Sequence, residues 1–199
     1  MLALGDSYTI GEGVAEGDRW PVRLAAMLRA RGIAVASPDI VARTGWTTDE
    51  LSVGIDAARP GGSYGLVTLL IGVNNQYRGR SGEEYRTQFR ALLARATTFA
   101  GSRASRVIVV SIPDWGVTPF AQGRDRARIA TEIDAFNVIN REETVRAGAR
   151  YVDVTPMSKR AATEKELVAG DGLHPSATMY AEWARLALPV AVEALGGGS

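Results

Sequence analysis

The sequence predicts an α/β fold: one three-layer α/β/α sandwich built on a five-stranded parallel sheet. Short apolar, β-branched runs alternate along the whole chain with longer stretches of helical period. Two of the runs, residues 66–71 and 107–112, are almost continuously apolar, as strands covered on both faces are. The 199 residues show no repeat, linker or shift in composition, so residues 1–195 read as a single domain and 196–199, Gly-Gly-Gly-Ser, as a flexible tail.

The expected strands are residues 1–4, 33–41, 66–71, 107–112 and 151–154. Between and after them lie expected helices at 21–31, 48–58, 83–100, 125–147 and 176–195. Pro21 sits where a first-turn proline belongs, and Gly32 stands where that helix stops. Thr48 is the expected N-cap of the second helix, with Leu51 and Ile55 four apart on its inner face. Strand following helix throughout implies right-handed crossovers, hence a parallel sheet between helical layers.

Composition narrows the function classes. Lys plus Arg is 23 against 22 for Asp plus Glu, a balance that points to no nucleic-acid partner. There is no cysteine, which removes disulfides, thiolate nucleophiles and Cys-based zinc sites. With a single histidine, nothing has metal-ligand spacing, and neither metal nor cofactor is expected. No apolar run reaches the roughly 18 residues of a membrane span. Met1-Leu2-Ala3-Leu4 lacks the features of a signal peptide, so the sequence reads as cytoplasmic, or as secreted or periplasmic had a leader been removed. Oligomeric state is left open.

Ligands of such sheets bind beyond the carboxyl ends of the strands, so the strand-to-helix loops hold the chemistry. Ser7 follows the first strand at a turn marked by Gly5. A serine hydroxyl is a weak nucleophile until a base that titrates near neutrality takes its proton. His174 alone can be that base. An isolated histidine is ordinarily structural, but this one lies three residues after Asp171, whose carboxylate can reach the imidazole N–H and fix the tautomer. Gly45 offers a backbone N–H and Asn74 a side-chain amide for an oxyanion, with the Ser7 N–H a third donor. Taken singly, Gly45 and Asn74 are equally ordinary turn residues.

These four segments, in order, resemble the SGNH or GDSL-type hydrolase superfamily. Gly5-Asp6-Ser7 matches its first block, Gly45 its second, Gly72-Val73-Asn74 its third and Asp171-Gly172-Leu173-His174 its last. Tyr8 stands where the family name implies Leu, and Asn75 where Asp is usual; neither removes a catalytic group. The resemblance implies a flavodoxin-like sheet, a triad of Ser7, His174 and Asp171, and an oxyanion hole of Ser7 N–H, Gly45 N–H and Asn74. The implied activity is hydrolysis of small carboxylic esters, possible substrates including O-acetyl groups on sugars, through an acyl-enzyme. A thioesterase or lysophospholipase with the same triad is the alternative, and a silent binding module a third.

Asp6 is expected to cap or brace the turn that presents Ser7. Trp46, Trp115 and Phe120 are candidates for an acyl or leaving-group pocket, with core packing an equal explanation. Gly11-Glu12-Gly13 fits no nucleotide motif and reads as a mobile loop beside the site. Arg124, Arg126 and Arg128 read as a solvated helix face.

Overall fold

In the computed structural model, which describes residues 1–196, the apolar runs become five short strands. They are β1 (Leu2–Gly5), β2 (Asp39–Ala42), β3 (Val67–Leu70), β4 (Val107–Val110) and β5 (Arg150–Val152). All pair in parallel, in the order β2-β1-β3-β4-β5. The inner strands β1, β3 and β4 are buried along their whole length. Their continuous apolar runs are therefore the sequence trace of two covered faces.

The helices are α1 (Ser7–Ile10), α2 (Trp20–Ala30), α3 (Thr48–Ala58), α4 (Val73–Tyr77), α5 (Gly82–Phe99), α6 (Arg126–Ala147), α7 (Thr155–Lys159) and α8 (Ala177–Gly196). α2 packs on α8, while α5 packs on both α3 and α6. α2 buries Leu24, Ala25 and Leu28, one apolar stripe at helical spacing. α8 likewise buries Tyr180, Trp183, Ala184, Ala187 and Ala191. No helix among the described residues is long and apolar enough to cross a membrane.

Three expectations are corrected. The strand expected over 33–41 pairs only from Asp39, whose N–H meets Met1 O at 2.9 Å; Pro38 has no N–H to give, and this edge strand is only partly buried. The N-cap of α3 is Thr47, not Thr48: Glu50 Oε2 accepts the Thr47 N–H at 2.9 Å in a capping box. The helices α1, α4 and α7 have no counterpart in the reading, because one turn is too short to show a period. Of the tail expected at 196–199, Gly196 ends α8 and the rest lies outside the described residues.

Strand order decides where a site can form. From β1 the chain passes to β2 on one side and then crosses to β3 on the other, so a crevice opens at the carboxyl ends of β1 and β3. Gly5 lies level with both Ala42 and Leu70, which puts Asp6-Ser7, Arg43–Gly45 and Ile71–Asn74 at one rim.

Candidate active site

Ser7 is the first residue of α1, and Asp6 is its N-cap: Asp6 Oδ1 accepts the Tyr8 N–H at 3.0 Å. Gly5 makes the tight turn possible, since a Cβ there would lie 2.2 Å from Thr9 Oγ1 and 2.4 Å from Leu70 O. At N1 the Ser7 N–H has no intrahelical acceptor and is available to an anion. The Asp6 carboxyl is wholly buried, and burial pushes it up to about 7, against the opposing pull of the Tyr8 N–H. Its Oδ2 has no partner among the described residues.

His174 and Asp171 come from the turn before α8. Asp171 Oδ1 accepts the N–H groups of Leu173 and His174, each at 2.9 Å, while Oδ2 sits 2.6 Å from His174 Nδ1. Partial burial pushes the Asp171 carboxyl up, but those two N–H groups and the imidazole together hold it below its ordinary value. A short antiparallel bridge between Val168 and Pro175 anchors the turn, and the Phe120 N–H reaches Gly172 O at 2.9 Å. The imidazole is 7% exposed, and Tyr8 meets it edge-on with ring centroids 5.6 Å apart. Tyr8, which replaces the family's Leu, thus supports the ring of His174.

Ser7, Gly45, Asn74 and His174 all line one cavity of about 170 Å³. Among the described residues, Ser7 Oγ and His174 Nε2 make no protein hydrogen bond, so both face that space unengaged. Gly45 has φ of 83°, a conformation that disfavours a side chain. Its carbonyl is held by Arg78 Nη2 at 2.7 Å. Asn74 Nδ2 donates one hydrogen to Trp46 O at 2.9 Å, which leaves its second N–H without a protein partner among the described residues. Asn75 is fully buried and clasps Thr48: its Oδ1 accepts the Thr48 N–H at 3.1 Å and its Nδ2 donates to Thr48 Oγ1 at 2.7 Å. That amide ties the third block to the start of α3.

Apart from Thr44, the rest of the cavity wall is apolar or aromatic: Tyr8, Val73, Tyr77, Trp115, Phe120 and Leu173. Of the three aromatic candidates from the sequence, Trp115 and Phe120 line this cavity. The Trp46 ring lies instead against Gly54 of α3, where a Cβ would come within 2.1 Å of it. Tyr77 was missed, though it lies one helical turn beyond Val73 and Asn74, a spacing visible only once α4 is known. Gly11-Glu12-Gly13 does border the site, with Glu12 accepting the Thr44 hydroxyl and a Cβ on Gly13 falling 3.5 Å from Asp171 Oδ2. The three arginines are all exposed, as the sequence reading expects, but they differ in what they touch. Arg126 Nη2 donates to Thr118 O and Arg128 pairs with Glu132, whereas the Arg124 guanidinium lies over Tyr77, Trp115 and Phe120. Among the described residues, no three His, Cys, Asp or Glu side chains converge as a metal site.

The sequence profile described as the GDSL-like Lipase/Acylhydrolase family matches residues 3–182, a span that includes Ser7, Gly45, Asn74, Asp171 and His174. The chain belongs to this family. No curated protein matches this GDSL-like hydrolase in sequence. Solved structures share its fold at low identity. The crystal structure of TesA superposes with a TM-score of 0.75 at 17% identity, covering 98% of each chain. A lipolytic protein of the G-D-S-L family from Veillonella parvula gives 0.70 at 18%, covering 95% of this chain and 96% of that one. Axe2-W215I, an acetyl xylan esterase from Geobacillus stearothermophilus, gives 0.68 at 17%, covering 96% and 93%.

Proposed function

We propose that this GDSL-like hydrolase is a serine esterase for small, short-chain carboxylic esters, with Ser7 as nucleophile, His174 as base and Asp171 as its orienting carboxylate. The observation that carries the reading is the 2.6 Å contact between His174 Nδ1 and Asp171, on a histidine that shares its cavity with Ser7. With Nδ1–H held by the carboxylate, Nε2 is the basic nitrogen.

Ser7 Oγ adds to the ester carbonyl carbon as its proton passes to His174 Nε2. The carbonyl oxygen becomes an oxyanion, met by the Ser7 N–H at the start of α1, the Gly45 N–H and the Asn74 amide. Collapse breaks the bond to the alcohol, which leaves with the proton from His174. Water then gives a proton to the same nitrogen, adds to the acyl carbon and releases the acid, returning Ser7 to its hydroxyl.

The cavity supports the short-chain preference. Its volume of about 170 Å³ lies below the roughly 300 Å³ at which pockets for drug-sized ligands begin. The acetyl xylan esterase among the proteins of like fold makes an O-acetyl sugar the first natural substrate class to test.

Ser7→Ala should abolish hydrolysis of p-nitrophenyl acetate with the circular dichroism spectrum unchanged; a variant that keeps the wild-type rate would overturn the nucleophile. Along a series of p-nitrophenyl esters, kcat/KM should fall for acyl chains beyond about eight carbons. A rise with every added methylene would favour the thioesterase or lysophospholipase reading instead.

A further inference from the structure

The aromatic wall of the cavity carries a charge that the hydrolytic reaction does not use. Tyr77, Trp115 and Phe120 stand with ring centroids 5.5–6.3 Å apart, and all three line the cavity that holds Ser7. The Arg124 guanidinium carbon lies 5.2, 5.4 and 5.1 Å from their centroids, and its Nη2 donates to Tyr77 Oη at 3.1 Å. Three rings and a hydrogen bond fix a side chain that would otherwise sweep through solvent. The wall behind it is braced as well: Trp115 Nε1 donates to Gln76 Oε1 at 2.8 Å.

Among the described residues, Arg124 has no carboxylate partner. The acids nearby are already engaged. Asp125 caps α6 by accepting the Arg128 N–H at 3.0 Å, and Glu132 is held by Arg128 Nε at 2.7 Å and Gln76 Nε2 at 2.8 Å. Beside Arg124 an open groove of about 260 Å³ shares Tyr77 and Trp115 with the cavity that holds Ser7, so those two rings wall both spaces. A guanidinium keeps several N–H donors when one is spent on Tyr77, in the fork that fits a carboxylate or phosphate.

We propose that Arg124 is an anion subsite: it takes a carboxylate or phosphate borne by the ester, one ring's width beyond the cavity that holds the scissile carbonyl. The proposal rests on the esterase reading of Ser7 and adds a substrate class to it: esters carrying a negative charge on either the acyl or the alcohol part.

Two matched pairs separate those sources. Mono-p-nitrophenyl succinate against p-nitrophenyl butyrate places the charge on the acyl side; 4-acetoxybenzoate against 4-acetoxybenzamide places it on the alcohol side. The quantity read is the ratio of kcat/KM for the charged ester to that for its neutral partner. In one pair, Arg124→Met should lower this ratio about tenfold, the share of one charge-assisted hydrogen bond, and Arg124→Lys should restore part of it. A residue that only props the aromatic wall would slow both members alike. A ratio within about twofold of wild type in both pairs would overturn the subsite. Failure of the wild-type chain to hydrolyse any of the four esters would instead refute the esterase reading. Binding of phenyl phosphate, followed by tryptophan fluorescence, then judges the subsite on its own. Affinity should fall about tenfold in Arg124→Met, and unchanged affinity would overturn it.

Discussion

Asp6, which precedes Ser7, is the residue whose removal is most informative about the fold. Its carboxyl is completely buried, spends one oxygen on the Tyr8 N–H and leaves the other without a partner. Replacement by Asn keeps the accepting oxygen and the shape and removes the ionisation. Burial raises the folded-state value from 3.8 to about 7, so between those limits the unfolded chain has lost a proton that the folded chain retains. Stability from this group is therefore fully present below pH 3.8 and is lost as pH rises through about 7. At about 1.4 kcal/mol per pH unit, the whole loss is on the order of 4 kcal/mol, a large part of a typical domain's stability. Urea unfolding of wild type and Asp6→Asn between about pH 4 and pH 9 measures it. The wild-type stability minus that of Asp6→Asn should decline by about 1.4 kcal/mol per pH unit and level off above about pH 7. A difference constant to within about 0.5 kcal/mol across that range would refute the claim that a buried, half-satisfied carboxyl titrates with folding.

Two further substitutions test separate parts of the molecule. Asn74→Ala should cost about a hundredfold in kcat, on the order of 3 kcal/mol of barrier, if the amide meets the oxyanion; a loss below about threefold would leave it only its bond to Trp46 O. Glu143, 1% exposed on α6, is held by Arg86 at 2.8 Å and Arg90 at 2.9 Å, and these partners draw its carboxyl down to about 2. Glu143→Gln should destabilise the fold by on the order of 2 kcal/mol at neutral pH, as read by urea unfolding. The wild type, whose carboxylate stabilises above its ordinary 4.5, should lose that advantage as pH falls toward about 2.

The long elements were legible because they obey a period. Strands β3 and β4 announced themselves as almost unbroken apolar runs, and α3 appeared at its observed bounds, 48–58. Three of the four polar segments follow strands whose carboxyl ends share one rim, which brings Ser7, Gly45 and Asn74 together; His174, well beyond β5, reaches the same cavity through the turn before α8. What escaped depends on contacts across the chain. Whether Trp46 faces the cavity or α3 is decided by the missing side chain at Gly54, eight positions away on another element. Arg124 reads as surface charge until the rings of Tyr77, Trp115 and Phe120 are placed beneath it. Both turn on tertiary neighbours rather than local propensity, and no window along the sequence contains them.

The bond from the Phe120 N–H to Gly172 O couples two parts that are usually separable. Gly172 stands between Asp171 and His174, and Phe120 lines the cavity that holds Ser7, so the cavity wall and the Asp171–His174 pair share one strut. Reshaping the wall at Phe120 would therefore pull on the turn that holds His174. On the proposed function, a change of selectivity at that wall also changes turnover. Changes at Tyr77 are no freer, because Tyr77 packs on Trp115 and Phe120 and shares the short helix α4 with Asn74.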